Sequence, residues 1–492
     1  MRNPLVAALL LTVVSAAPGL AQTVERFSIK GAQDAIVVPK DWNGSLFIYA
    51  HGYTADKVVL DPIPEDVSKA NQLLLPALVS LAPPDLLFVP KGYASAVTSF
   101  RSVGWYVKDA VKDIENLRRY FVKKYGKPKR TYLWGHSGGG MVTETVIEYF
   151  PHTYEGAAPM CGPGAGARRN FDGAFDLRAL YEFVCRDVAE ARFVCRVCAD
   201  GQSRCLVNAD CPAGQTCGTS EAPPAPEDGL TAACTDFLLA HPERFDESTG
   251  GDFVKRPREA CFGGATPTPE QSARRDLYLR ASQIPESFLA SVLFFASVGI
   301  AEIVHRRTNG KHPWGNVGVA YASPRLTADE AAAFNAGVYR ADSDPAAVRY
   351  LRGWYEPRGR TASKVITVHA LDDGLVVPEN EHKYREAFEA AGRTDQLVQF
   401  NTPSGGHCLF LGAWRPALEA LTAWVEHGQV PTSAALDAAC ANCLTQTSPG
   451  VWGERVIERK QKGAPVRTLV CSAAPGDCPT GSVCVAQKHR CQ

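Results

Sequence analysis

Arg130-Thr131-Tyr132-Leu133-Trp134-Gly135-His136-Ser137-Gly138-Gly139-Gly140 is the stretch on which the reading of this chain turns. Thr131 to Trp134 are β-formers and run into Gly-x-Ser-x-Gly. Met141 to Phe150 follows with helical spacing, and Pro151 stops it. A strand that turns sharply into a helix crowds its own backbone, which calls for small residues at Gly135 and Gly139. In a chain with 42 glycines the motif alone would be an ordinary surface turn. Its setting between strand and helix makes Ser137 the candidate nucleophile.

A serine hydroxyl is a poor nucleophile near neutral pH and needs a base, which in turn needs a carboxylate to orient it. The acid is sought after a later strand, Lys364-Val365-Ile366-Thr367-Val368-His369, in the segment Ala370-Leu371-Asp372-Asp373-Gly374-Leu375-Val376-Val377-Pro378. Asp372 and Asp373 compete, and Asp373 is favoured; Asp-Gly is also a turn signal. The base is sought among eleven histidines. His407, in Ser404-Gly405-Gly406-His407-Cys408, stands out because it follows the acid and a last strand, Leu397 to Phe400, and precedes a helix. The developing oxyanion needs two N–H donors. Gly138, next after the serine, is one. The other is expected from His51-Gly52-Tyr53, after the strand Gly44 to Ala50, with Tyr53 preferred to Gly52.

Strands alternate with helices through this part of the chain, which predicts an α/β architecture with a mainly parallel sheet covered on both faces. Two short strands are expected within residues 26–38, a further one at Asp85 to Pro90 and another at Tyr154 to Cys161. Helices are expected at Val107 to Lys124, Glu379 to Ala391 and Trp414 to Glu426. Gly162-Pro163-Gly164-Ala165-Gly166 is Gly-rich but lacks the sixth-position glycine of a dinucleotide fingerprint, and no opening helix is expected after it. It reads as a loop leading off the sheet. From about 167 to 362 the rhythm breaks into a long insertion. It contains Pro223-Pro224-Ala225-Pro226, read as an exposed linker. It also contains the apolar stretch Ser287 to Ala301, too short to span a membrane and read as a cap helix, with the sharper reading that it roofs an apolar substrate pocket.

Taken in order, His51-Gly52-Tyr53, Ser137, Asp373 and His407 resemble the α/β-hydrolase superfamily over residues 25–428, with a large insertion, and are most similar to its secreted esterase- and peptidase-like members. Gly104-Trp105-Tyr106-Val107-Lys108-Asp109 and Asp373-Gly374-Leu375-Val376-Val377-Pro378 add to the likeness. The resemblance implies a hydrolase core at 22–166 and 363–429, a cap at 167–362 and acyl transfer to water by a Ser137–His407–Asp373 triad. Carboxylic esters, small or polymer-derived, are the expected substrates. A peptidase or amidase of the same fold is the alternative, and a non-catalytic binding protein on a hydrolase scaffold is a weaker one. Tannases and feruloyl esterases are similar in their His-Cys pair, here His407-Cys408. They carry a cysteine just before the serine, where this chain has His136. The pairing expected instead is Cys408 with Cys161, which would tie the histidine loop to the sheet.

Formal charge is balanced, with 52 basic and 52 acidic residues, so nucleic acid is not an expected partner. Met1-Arg2-Asn3, the apolar run Leu5 to Val14 and the small-x-small site Gly19-Leu20-Ala21 read as a signal peptide over residues 1–21, cleaved near Ala21. A secreted or periplasmic protein without a membrane span is expected. Sixteen cysteines fit that compartment. They crowd the insertion, chiefly about 195–234, and the C-terminal extension 430–492. Cys205 to Cys217 and Cys471 to Cys484 both contain Asp-Cys-Pro-x-Gly-x-x-Cys. The Cys195-x-x-Cys198 and Cys440-x-x-Cys443 spacings also suit zinc, but disulfides are the expected use in an exported chain. No metal or organic cofactor is expected.

Overall fold

Side chains of alternate strand residues sort to opposite faces of one eight-stranded sheet in the computed structural model. The structure describes residues 23–55, 89–245, 251–403 and 405–440, with two short paired strands, Cys484–Val485 and Arg490–Cys491, beyond them. The expected signal peptide, and most of the C-terminal extension, lie outside the described residues.

The strands are β1 (Thr23–Ile29), β2 (Ala32–Val38), β3 (Leu46–Ala50), β4 (Ala94–Thr98), β5 (Thr131–His136), β6 (Gly156–Met160), β7 (Lys364–Ala370) and β8 (Leu397–Thr402). Their order in the sheet is β1-β2-β4-β3-β5-β6-β7-β8. The first two pairings, β1 with β2 and β2 with β4, are antiparallel; all others are parallel. The strand expected at Asp85 to Pro90 is corrected in part. Residues 85–88 lie outside the described residues, Val89 and Pro90 are not in a strand, and β4 is Ala94–Thr98. Ala-Ser-Ala-Val-Thr carries small side chains buried on both faces, so it shows no alternation to betray it.

Period-two packing explains how the sheet is covered. Leu46, Ile48 and Ala50 of β3 join one core with α1 (Val107–Tyr125), α2 (Gly138–Tyr149) and later helix residues. Phe47 and Tyr49 point to the other face, where Trp414, Leu418 and Leu421 of α6 (Leu411–His427) meet Tyr132, Trp134, Ile366 and Val368. Helix α1 forms because Val107, Val111, Ile114, Leu117 and Phe121 make one buried stripe. Asp109 suits its first turn, Lys123 and Lys124 its last, and Gly126 at φ +91° ends it.

A helix, α3 (Ala167–Val184), opens immediately after the Gly162–Gly166 loop, contrary to the expectation that none follows. Its residues Ala167, Phe171 and Phe175 pack into the sheet's own core, a tertiary contact that local spacing did not reveal. The expected exposed linker is corrected in part: Pro223 is exposed, but Pro224, Ala225 and Pro226 are half-buried. Pro226–Asp228 forms a short turn, and the Glu227 carbonyl, just beyond the linker, accepts from Trp314 Nε1 at 2.8 Å. The apolar cap helix is longer than the sequence indicates. As α4 it runs Glu286–Arg307, 22 residues with two π-helical stretches, Phe295–Gly299 and Ile303–Arg307. It is the one helix among the described residues long and apolar enough to cross a membrane, and it is mostly buried inside the protein. Helix α5 (Glu379–Ala390) follows β7.

Four disulfides staple the insertion: Cys185–Cys261, Cys195–Cys234, Cys198–Cys211 and Cys205–Cys217. Cys195 and Cys198 therefore serve different bridges and are not paired zinc ligands. A three-stranded sheet of two to four residues per strand, Arg196–Cys198, Arg204–Cys205 and Cys217–Ser220, has almost no apolar core beyond these sulfurs. Cross-links replace the burial that such a small element lacks.

Candidate active site

Strand β5 delivers Ser137 into a backbone that side chains rarely tolerate, φ +54° and ψ −123°. Holding a serine there costs on the order of 1–3 kcal/mol, which the surrounding packing must over-determine. The neighbouring glycines show how. A Cβ on Gly135 would lie 2.5 Å from the Ala50 carbonyl oxygen, and one on Gly139 would lie 2.0 Å from the same atom. One on Gly140 would meet Gly162 Cα at 2.8 Å. The serine apex is thus wedged between β3 and the loop after β6, with its N–H donating to the Met160 carbonyl at 3.0 Å.

The structure brings Ser137, Asp373 and His407 together. The Ser137 hydroxyl donates to His407 Nε2 at 2.7 Å, and His407 Nδ1–H donates to Asp373 Oδ2, also at 2.7 Å. Asp373 lies just past the end of β7, fully buried, and its Oδ1 accepts from the Leu375 and Val376 amides at 2.9 and 3.0 Å. Burial works to raise this carboxyl, but the His407 and His369 rings facing it outweigh that and hold it at about 2. Asp372 has a different position. It is exposed, and its Oδ1 accepts from the Gly406 amide at 2.8 Å, so it clamps the histidine loop.

The two amides expected to serve an oxyanion are neighbours. Gly138 begins α2, and a Cβ built on it would lie 3.0 Å from the Tyr53 backbone nitrogen and 2.7 Å from Tyr106 Oη. Tyr106 donates to the His51 carbonyl at 3.0 Å and so holds the loop carrying Tyr53. Gly52 packs against His136, where an added Cβ would meet Nε2 at 2.8 Å. His136 accepts at Nδ1 from, or donates to, Tyr49 Oη at 2.8 Å and lies against Trp414. Burial, helped by the nearby His407 and His51 rings, pushes its pKa down to about 3, so it is a neutral ring.

Cys161 and Cys408 are bonded, which ties the residue after His407 to the end of β6. The cap closes over the same place. Phe294 and Phe295 of α4 contact the Tyr53 ring, centroids 6.3 and 5.0 Å apart. Phe288 lies against the acid and histidine loops together: a Cβ on Gly374 would meet its ring at 2.6 Å, and one on Gly406 at 3.4 Å. Glu302 anchors the far end of α4 to the loop before α1, accepting from the Trp105 amide at 2.9 Å and from Arg307 Nε at 2.8 Å.

Sequence reasoning did not assign His369, His136 or Tyr106 to the site. His369 stands four residues before Asp373, a spacing that was visible; Tyr106 and His136 carry no local signal beyond lying near the motif.

No protein-family model matches the chain, and no curated protein does. Solved structures are similar at low identity. The rice cell wall degrading esterase LipA from Xanthomonas oryzae shares 12% identity over 81% of this chain and 86% of its own, with a TM-score of 0.34. Feruloyl esterase B from Aspergillus oryzae shares 15% over 84% and 81%, with a TM-score of 0.38. Acylaminoacyl peptidase from Pyrococcus horikoshii shares 9% over 85% of this chain and 42% of its own, with a TM-score of 0.37. The order β1-β2-β4-β3-β5-β6-β7-β8, the strained serine between β5 and α2, and the acid after β7 are this chain's own features, and by them it has the α/β-hydrolase fold.

Proposed function

We propose that this protein is an exported serine hydrolase that cleaves carboxylic esters through an acyl-enzyme intermediate. The observation that carries the reading is the relay of two 2.7 Å hydrogen bonds from Ser137 to His407 to Asp373. In it, Ser137 Oγ attacks the carbonyl carbon as His407 Nε2 takes its proton, and Asp373 steadies the imidazolium that forms. The N–H groups of Gly138 and Tyr53 receive the oxyanion, at the positive end of α2. Collapse of the tetrahedral species breaks the ester C–O bond, and His407 returns the proton to the leaving alcohol. Water then enters, gives a proton to His407 and releases the acid by the same steps in reverse. Hydroxyl, base, acid and oxyanion donors supply every step, so the reading uses no cofactor.

The disulfides and the leader read at residues 1–21 support export. The aromatic cover of Tyr53, Phe288, Phe294 and Phe295 supports an ester with an apolar portion. A fluorophosphonate probe should label Ser137 in the full chain, and a series of esters beside matched amides should show ester turnover only. Equal amide turnover would move the assignment to a peptidase or amidase. No labelling and no turnover of either kind would leave a binding scaffold.

A further inference from the structure

His369, the penultimate residue of β7, is fully buried directly behind the acid. Its Nε2 lies 2.7 Å from the Val376 carbonyl oxygen and 3.3 Å from Asp373 Oδ2. Its Nδ1 lies 3.1 Å from Glu381 Oε1, in the first turn of α5. Glu381 also accepts from the Thr367 hydroxyl and the Gln399 amide. Each ring nitrogen therefore faces an acceptor: Nε2 a carbonyl and the Asp373 carboxylate, Nδ1 the Glu381 carboxylate. A neutral imidazole has one N–H and one lone pair, and here the lone pair would be aimed at an oxygen. The doubly protonated ring donates on both sides.

We propose that His369 is a positioning residue for the triad: a buried imidazolium, clamped between Glu381 and Asp373, that fixes the acid's carboxylate against His407. The proposal rests on the triad reading of Ser137, His407 and Asp373. His369 touches no reacting atom and acts through Asp373, whose Oδ2 is shared between the two imidazoles. The charged and titratable groups around the ring agree with this. Asp373 faces it from the loop after β7, Glu381 from α5 and His407 across the shared oxygen. Glu144 of α2 is part of the same buried surroundings, and burial pushes its carboxyl well above the usual carboxylate range. Burial opposes a charge on His369, but its bonds to Asp373 and Glu381 outweigh that and push its pKa up to about 10. A fixed positive ring on the far side of Asp373 also opposes the charge that His407 takes on during the reaction.

Two measurements test this on the full chain. The first is nitrogen NMR of the His369 ring in a Ser137→Ala background, which needs no turnover. Both nitrogens should remain protonated between about pH 6 and 8; a lone pair on either at about pH 7 overturns the proposal. The second is the pH profile of kcat/KM for His369→Gln, which keeps a donor and loses the charge. Without the neighbouring cation His407 protonates more readily, so the acid limb should move up by about 0.5–1 pH unit. The kcat should fall about tenfold with KM within about twofold. A fall in kcat with the limb unmoved is the result of mere space-filling and also overturns the proposal. Full turnover by Ser137→Ala would instead bring down the triad reading, and the positioning role with it, while the NMR result on the ring's charge would stand.

Discussion

Cys161, at the end of β6, is bonded to Cys408, the residue after His407, across 247 residues of sequence. Both cysteines have positive φ, +44° and +65°, and the Cys408 sulfur lies 3.6 Å from His407 Nε2. The bridge holds the histidine loop at a fixed height above the serine and shortens the unfolded chain. A Cys161→Ser/Cys408→Ser double variant should lose about 2–5 kcal/mol of stability. Measured well below its melting temperature, it should also lose about tenfold or more in kcat, because imidazole placement tolerates little drift. Unchanged kcat in the folded variant would show that the bridge stabilises without positioning.

Ser137 separates chemistry from strain. Ser137→Ala removes the proposed nucleophile and keeps a Cβ in the same backbone, so turnover should fall by about 10³-fold or more with stability little changed. Ser137→Gly should be as inactive yet more stable, by about 1 kcal/mol, because glycine accepts φ +54° without a steric penalty. Equal stability of the two variants by chemical denaturation would argue that the elbow is unstrained.

Gly52 and Gly138 test the proposed oxyanion donors without touching the proposed triad. A methyl on Gly52 would be driven into His136, and one on Gly138 into Tyr106 and the Tyr53 amide. Either Gly→Ala change should shift one donor and cost roughly 10²-fold in kcat, with a small effect on KM. A KM effect alone would assign this loop to substrate binding.

The buried charges at the end of β7 set opposite pH limits. Asp373 is depressed to about 2, so its stabilisation is complete above the unfolded value of ~3.9 and is lost as pH falls through about 2. His369 is raised to about 10, so its stabilisation is complete below ~6.5 and is lost as pH rises towards about 10. The melting temperature should therefore decline between about pH 6.5 and 10. In His369→Leu it should start lower and decline less steeply over the same range. Parallel curves for the two proteins would mean that His369 does not titrate there.

The elbow was legible in the sequence because its steric demands are local. The backbone that turns at Ser137 leaves no room at Gly135 or Gly139, and that requirement is written in the residues beside it. The Asp372-Asp373 pair and His407 were legible through chain order, since each follows a strand on the same edge of the sheet. Strand β4 was not, because a strand of small residues buried on both faces has no period to read. Helix α4 was underestimated for a related reason: it is apolar on all sides because the cap and the sheet both cover it.

By itself the sequence determined the α/β rhythm, the strained serine turn, and the places of the aspartate pair and His407 after their strands, because each depends on neighbours within a few residues. Tertiary structure alone decided which aspartate meets His407, which amide lies beside Gly138, and that His369 stands between Asp373 and Glu381. Those relationships depend on distances between segments far apart in the chain, set by how the sheet, α5 and the cap pack, and no local pattern of residues encodes them.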